Sequence, residues 1–304
     1  MTSGSILEFV PNFSEGKDQA VVDAIVAAMT AVPGVACLGS ELDPSHNRAV
    51  VTLAGPPAAV ADAAVIGARE AMQRIDLRKH QGEHKRMGAM DVCPFVPVGD
   101  ATMDDAVATA RAVAERIGDE LSLPVFLYAE ACRREDRRKL GNVRNKQFEG
   151  LRDLVGTDPD FAPDHGPAKL HNTAGAVGVG ARKFLIAYNI NLKTEDVAIA
   201  KDIAKAVREK DGGFAKVQGM GFFLDDKKLA QVSMNLLDFE TTSIRTVFDR
   251  VAELAAAKGV EVAESELIGL APAAAVDAEL AEHIKLPSFD PAEQIVEAKL
   301  ASLA

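Results

Sequence analysis

Cysteine is scarce in this 304-residue chain. Cys37, Cys93 and Cys132 are far apart and odd in number, which leaves neither a disulfide framework nor a CxxC metal knuckle. Reduced, mostly buried thiols are expected. Long apolar runs are missing as well: no stretch approaches the roughly 20 residues of a membrane span. The opening MTSGSILEFV lacks the basic-then-apolar pattern of a signal peptide, so a cytoplasmic protein with no membrane partner is expected. Positive charge is in deficit, with a formal net charge of -11. That argues against nucleic acid as a main partner, and any anionic ligand would need its own local cluster of Lys and Arg. What is present is 48% hydrophobic and 26% charged residues, a globular composition with enough apolar material for a sizeable core. The length permits two ordinary domains or one large one.

Ile6 to Val10 alternates into PNFSEG, after which Val21, Val22, Ile25 and Met29 recur at helical spacing until Pro33-Gly34. Val35 to Leu42 reads as a second strand, DPSHN as a turn and Ala49 to Leu53 as a third strand. Gly55-Pro56-Pro57 then opens a helix carried by Val60, Ala64 and Ile75. VCPFVPV is an apolar strand whose Pro94 and Pro97 suggest an edge or irregular position. This β-α-β-β-α-β order is that of the split βαβ, or ferredoxin-like, unit. A helix capped by Thr102 with Asp105, and a strand from Pro124 to Glu130, follow it.

The next segment, Cys132 to Gly156, is charged and weakly periodic, a surface loop leading into a helix near Glu149. Its basic residues Arg133, Arg134, Arg137, Arg138 and Lys139 read as a solvated face interleaved with Glu135 and Asp136. Thr157 to Lys183 is rich in Gly, Pro and Asp, with too little apolar periodicity for a core element, and reads as a long irregular binding loop. Beyond it come a strand (Phe184 to Leu192), a helix capped by Thr194 and running through Val207, and a hairpin of Val217 to Leu224 with Leu229 to Leu236 across DDKK. A helix from Thr242 to Lys258 and a strand near Val260 to Val262 complete a second β-α-β-β-α-β order, and Asp290-Pro291 begins a last helix. The expected fold class is therefore α+β, two tandem ferredoxin-like (βαββαβ) subdomains.

The polar stretch KHQGEHKRMGAMD holds His80 and His84 four residues apart, with Glu83 beside the second. HQGEH fits the H-x-x-E-H signature of zinc peptidases, in which two histidines one helical turn apart face one metal. Gly82 between them and Gly88 after them each cost about 1 kcal/mol of helix propensity, so a rigid metal-bearing helix is not predicted. A zinc-dependent hydrolase using His80, Glu83 and His84 is the alternative. The other reading is general acid–base catalysis by one imidazole, oriented by a carboxylate such as Glu83 or Asp91. Residue types alone leave open which histidine acts.

Four stretches resemble the formiminotransferase domain of the glutamate formimidoyltransferases: VPNFSEGK (Val10 to Lys17), GEHKRMGAMDVCPFVPV (Gly82 to Val98), GARKFLIAYNINL (Gly180 to Leu192) and LAQVSMNLLDF (Leu229 to Phe239). The likeness continues through SELIGLAP, Ser265 to Pro272. It implies an enzyme that moves the formimidoyl group of N-formimidoyl-L-glutamate to N5 of tetrahydrofolate in histidine degradation. It further implies a homodimer, no metal, and substrate bound between the two subdomains. The implied layout is an N-terminal subdomain over 1–183, a linker strand over 184–193 and a C-terminal subdomain over 194–304, without the cyclodeaminase domain fused on in animals. Formyl-glutamate is a second conceivable donor, and an inactive folate-binding protein a further alternative.

Position by position, the resemblance makes His84 the catalytic histidine and assigns His80 no chemistry. It places the folate-binding loop on Gly166, Pro167, Ala168, Lys169, Leu170, His171, Asn172, Thr173, Ala174 and Gly175. This string departs from that of the animal enzymes, which carry an aromatic residue there, and this chain has no tryptophan at all. Lys85 stands where the family often has proline. An assisting acidic residue falls near Glu41, with Asp43 its rival. Glutamate carboxylates need cations, for which Arg48, Arg86, Lys169, Arg182 and Lys183 are candidates. Asn12 and Ser14 either donate to substrate or cap the helix after them. Gln231 and Asn235, on a strand expected to be buried, are substrate contacts or satisfied core polar groups.

Overall fold

The computed structural model describes residues 5–287 and 289–302. The chain divides into two compact units, Met1–Arg182 and Lys183–Ala304. It is mixed α+β, with one sheet in each unit.

In the first unit, β1 (Ile6–Phe9) and the short β2 (Asn12–Phe13) form one interrupted strand. They are followed by α1 (Gln19–Thr30), β3 (Ala36–Asp43), β4 (Arg48–Gly55), α2 (Pro57–Arg74) and β5 (Met90–Val98). β4 lies between β3 and β1–β2, and β5 pairs with β1–β2 from the other side, all antiparallel. After α3 (Met103–Leu121) come β6 (Val125–Ala129), α4 (Gly141–Arg144), α5 (Gln147–Leu154) and β7 (Val177–Ala181). β7 inserts between β5 and β6, parallel to both, which widens the sheet to seven strands. α2 packs across β1, β4 and β5, and α3 across β5, β7 and β6. Along each strand alternate residues enter this core: Ala49, Val51, Phe13, Cys93 and Phe95 are fully buried, with Phe9 and Phe95 stacked at 5.2 Å.

Two expectations fail here and a third holds only in its second form. β5 is central, not at an edge, but its prolines do take irregular positions. Pro94 falls at the break between β1 and β2, and Pro97 lies beyond the last β7 pair, Phe95 with Ala181, so neither proline sits in the doubly paired run. The segment 157–183 is not irregular throughout, because VGVGA is the fully buried β7. Its glycines mimic loop composition, yet a Cβ on Gly180 would meet the Tyr128 ring at 2.6 Å, so the glycine is there to seat an aromatic ring. Arg137 is not on a solvated face either: it is 2% exposed, paired with Asp164 at 2.7 Å and set over the Phe126 ring.

The second unit runs β8 (Ile186–Leu192), α6 (Val197–Val207), β9 (Val217–Leu224), β10 (Leu229–Leu236), α7 (Ile244–Ala257) and β11 (Val262–Ile268), in the sheet order β11-β8-β10-β9. β8, expected as a linker, is bonded on both sides and is an inner strand of this sheet, because its alternating Ile186, Tyr188, Ile190 and Leu192 fill the core of the second unit. α6 is capped by Asp196, two residues after the expected Thr194, whose hydroxyl instead accepts the Asp196 N–H. Gln231 is a satisfied polar group, donating to Asn191 and Glu266. Asn235 on the same strand is half-buried.

Candidate active site

His84 sits in an irregular segment, not on a helix, between α2 and β5. Three neighbours fix that segment. Gly82 passes so close to the β3–β4 turn that a Cβ would lie 2.3 Å from the His46 carbonyl oxygen. Lys85 reaches Asn145 at 3.1 Å, and the Phe148 N–H donates to the Arg86 carbonyl at 3.0 Å, tying the segment to α4 and α5. Ser14 is not a helix cap: its hydroxyl donates to the Gly88 carbonyl at 2.7 Å, while Asp18 caps α1.

The two histidines of HQGEH have different surroundings. His80 Nε2 donates to the Asn47 carbonyl at 2.8 Å and its Nδ1 accepts the Arg86 Nε–H at 3.1 Å, so both ring nitrogens are engaged. Burial holds its pKa below the ordinary value, assisted by the Arg86 charge and opposed by the Asn47 bond. Arg86 itself, a candidate for substrate carboxylate, is 7% exposed and forks onto Glu149 at 2.7 and 2.8 Å. Its guanidinium is committed inside the protein. His84 faces inward with Nε2 at 3.6 Å from Oδ2 of Asp91, a carboxylate 1% exposed. Among the described residues no group of three His, Cys, Asp or Glu side chains converges as metal ligands.

Asp91 owes its position to a bulge. Asn12 stands opposite Val92 and Phe13 opposite Met90, so Asp91 is the extra residue of β5, and its side chain is re-aimed beside the strand. Its Oδ1 accepts the Met87 N–H at 2.6 Å. Its Oδ2 has Arg144 Nη1 at 3.5 Å in addition to the imidazole. Arg144 comes from α4, in a segment whose weak periodicity does not reveal it, and was not among the expected site residues. Arg48, at the start of β4, belongs to the same cluster. Burial lowers its pKa, with Asp43, Arg144, Asp91 and Glu41 all within electrostatic reach. Glu41, Val50, Asn12, Val92 and Gly178 stand opposite one another across five strands, which puts Glu41 and Asn12 in one row of the sheet. Asn12 donates to the Val10 carbonyl at 3.2 Å. Asp43 is occupied by its own turn: the backbone N–H of His46 and the Ser45 hydroxyl hold it well below the carboxylate range.

The loop Gly166–Gly175 docks on this segment through a bridge between Gly88 and Gly175, with the Ala89 N–H donating to the Ala174 carbonyl at 2.9 Å. Gly175 has φ +71°, and a Cβ there would lie 2.1 Å from the Met87 carbonyl oxygen. His171 Nδ1 accepts the Ala174 N–H at 3.0 Å and shapes the turn. Gly166 to Lys169 and Asn172 are exposed, whereas Leu170 is buried. Asn172 lines a depression of about 640 Å³ with Arg78, Phe148, Glu149 and Arg152. A second, of about 590 Å³, is lined by residues that include Glu15, Lys17, Asn47 and Lys79; neither is lined by His84. Arg182 directly follows β7, its N–H donating to the Phe95 carbonyl at 3.0 Å. Lys183 belongs to the second unit, where it pairs with Asp238 at 2.9 Å and Glu240 at 2.7 Å.

The folds and the cluster define a two-unit α+β protein with an imidazole–carboxylate pair flanked by arginines. The family model for the formiminotransferase domain, N-terminal subdomain, matches residues 6–182, and that for the formiminotransferase domain matches 187–286. The chain belongs to the formiminotransferase family. It is 44% identical to the glutamate formimidoyltransferase of Streptococcus pyogenes serotype M1, covering 96% of this chain and 97% of that one. It is 43% identical to the glutamate formimidoyltransferase of Thermoplasma acidophilum, covering 99% of each. The formimidoyltransferase-cyclodeaminase of Sus scrofa is 46% identical over 88% of this chain, which spans 50% of that relative. Among solved structures, a microcompartments protein from Desulfitobacterium hafniense DCB is 12% identical with a TM-score of 0.25, too loose a likeness to define the fold.

Proposed function

We propose that the chain is an enzyme that transfers the formimidoyl group of N-formimidoyl-L-glutamate to N5 of tetrahydrofolate in histidine degradation, with His84 as general acid and base. The observation that carries this reading is the match, over nearly their whole length, to two stand-alone relatives named glutamate formimidoyltransferase. The β11-β8-β10-β9 order, and β3-β4-β1-β5 in the first unit, support two ferredoxin-like subdomains as its frame. The same family supports a cytoplasmic homodimer, for which sedimentation gives the check.

In the proposed reaction N5 attacks the amidine carbon and gives a tetrahedral intermediate. The N5 proton passes to His84, the bond from carbon to the glutamate nitrogen breaks, and that nitrogen takes the proton back from His84. One neutral imidazole serves both transfers, and no net proton is consumed. The Gly166–Gly175 loop, bridged to the segment that follows His84, is suited to hold folate close to that imidazole. Arg48 and Arg144, beside Asp91, are suited to a glutamate carboxylate. Both nitrogens of His80 are engaged within the protein, which supports chemistry at His84 without a two-histidine zinc site.

The test is the formation of 5-formimidoyl-tetrahydrofolate, with formimidoyl- and formyl-glutamate compared as donors and a chelator added in parallel. Product from the formimidoyl donor, undiminished by the chelator, is expected; activity lost to chelation and restored by zinc overturns the metal-free reading. His84→Ala is expected to lower turnover by about 10²–10⁴-fold while leaving folate affinity nearly unchanged.

A further inference from the structure

The geometry points to Asp91 as a positioning residue that holds His84 in the tautomer protonated on Nε2, so that Nδ1 is the nitrogen offered to the reacting atoms. This rests on His84 being the acid–base group.

Two buried polar atoms without a hydrogen-bond partner face each other here: His84 Nε2 and Asp91 Oδ2, 3.6 Å apart. Burying such atoms unpaired is costly, and the cheapest remedy is for them to pair with one another. A closure of about half an ångström completes the bond, and catalytic hydrogen bonds commonly tighten once substrate is bound. Nε2 is sealed from solvent. Nδ1 is not among the buried unpartnered atoms and takes no hydrogen bond from the described residues, so it carries the polar exposure of a ring that remains 13% accessible.

Asp91 cannot readily turn away. Its Oδ1 is pinned by the Met87 N–H, and the bulge in β5 fixes its backbone. Oδ2 then has two cationic or donor neighbours, the imidazole and Arg144 Nη1 at 3.5 Å, which balance a carboxylate with 1% exposure. Glu83, the other carboxylate close in sequence, is exposed.

The tautomer decides the chemistry. With the proton on Nε2, the free lone pair lies on Nδ1 and can accept the N5 proton. The imidazolium that results is stabilised by Asp91, and Nδ1 then delivers the same proton to the leaving nitrogen. With the proton on Nδ1 the ring would present a donor to an attacking amine that must itself lose a proton, and the first transfer would stall.

The test uses the full chain labelled with ¹⁵N-histidine, with the His84 ring assigned by subtraction of the His84→Gln spectrum. At a pH at which its ring is neutral, His84 is expected to be protonated on Nε2. Asp91→Asn keeps an acceptor for Met87 and turns an amide N–H toward Nε2. It is expected to move the proton to Nδ1 and lower kcat by about 10²–10⁴-fold, with KM for both substrates changed by less than about threefold. A purely structural Asp91 would leave the tautomer where it is. A wild-type ring protonated on Nδ1 overturns the inference, as does an Asp91→Asn enzyme with unchanged tautomer and kcat. The wild-type spectrum decides the matter even where Asp91→Asn does not fold. If His84→Gln keeps full turnover, the acid–base reading itself fails; if it is inactive while the wild-type proton is on Nδ1, only the present inference does.

Discussion

Arg86 is the residue on which the unequal surroundings of the two histidines depend. Its Nε–H fills the Nδ1 of His80 and its two terminal nitrogens fork onto Glu149. A lysine supplies one point charge and no fork, so it can keep an attraction to Glu149 but cannot reproduce the geometry at His80. Arg86→Lys is expected to destabilise the fold by about 1–2 kcal/mol, mainly from the stranded imidazole nitrogen, since Glu149 stays largely in water. Urea unfolding measures it, and an unchanged midpoint would contradict this role. Sequence spacing made His80 and His84 look equivalent. What separates them, a carbonyl from residue 47 and a guanidinium from residue 86, depends on which loops meet in space.

At the scale of elements, the chain between β6 and β7 is held by one buried ion pair. Arg137 donates to Asp164 and to the carbonyls of Asp160 and Ala162, which anchors the approach to the Gly166–Gly175 loop. Arg137→Met leaves Asp164 buried without its cation and is expected to cost about 3–5 kcal/mol. The double variant Arg137→Met/Asp164→Asn strands no charge and is expected to melt above the single one; calorimetry on both gives the answer. The order of strands and helices was legible in the sequence wherever one face of an element is apolar, as in α1, β4, α2 and the β9–β10 hairpin. It was not legible where tertiary packing overrides local composition. Gly178 looks like a loop residue until the side chains of Leu140 and Met87 are laid against it, Gly180 until Tyr128 is, and Arg137 looks solvated until Phe126 is found beneath it. The segment that carries His84 and the loop after Gly166 could be picked out as candidates by family likeness. The Asp91 bulge and Arg144 could not, because a bulge is a mismatch between two strands that no single strand reveals.

For the molecule as a whole, two histidines tie stability to pH in the same direction. Burial lowers the pKa of both His80 and His171 in the folded chain, so the unfolded chain binds protons more tightly. Their contribution is fully present above the ordinary histidine pKa of about 6.5 and is lost as pH falls below it. Thermal midpoints are expected to decline from about pH 7 to pH 5, and less steeply in His80→Gln; an equal slope in that variant would remove His80 from the account. Strand β5 also sets a constraint on biosynthesis. It has β1 and β2 available as soon as it leaves the ribosome, but its other edge is completed only by β7, roughly 80 residues later, and at about 5–20 residues per second that edge stays open for on the order of 4–16 s. During that interval the nascent chain exposes an apolar strand edge open to pairing with other chains, and the seconds before Val177 emerges are when a chaperone would matter most to this protein.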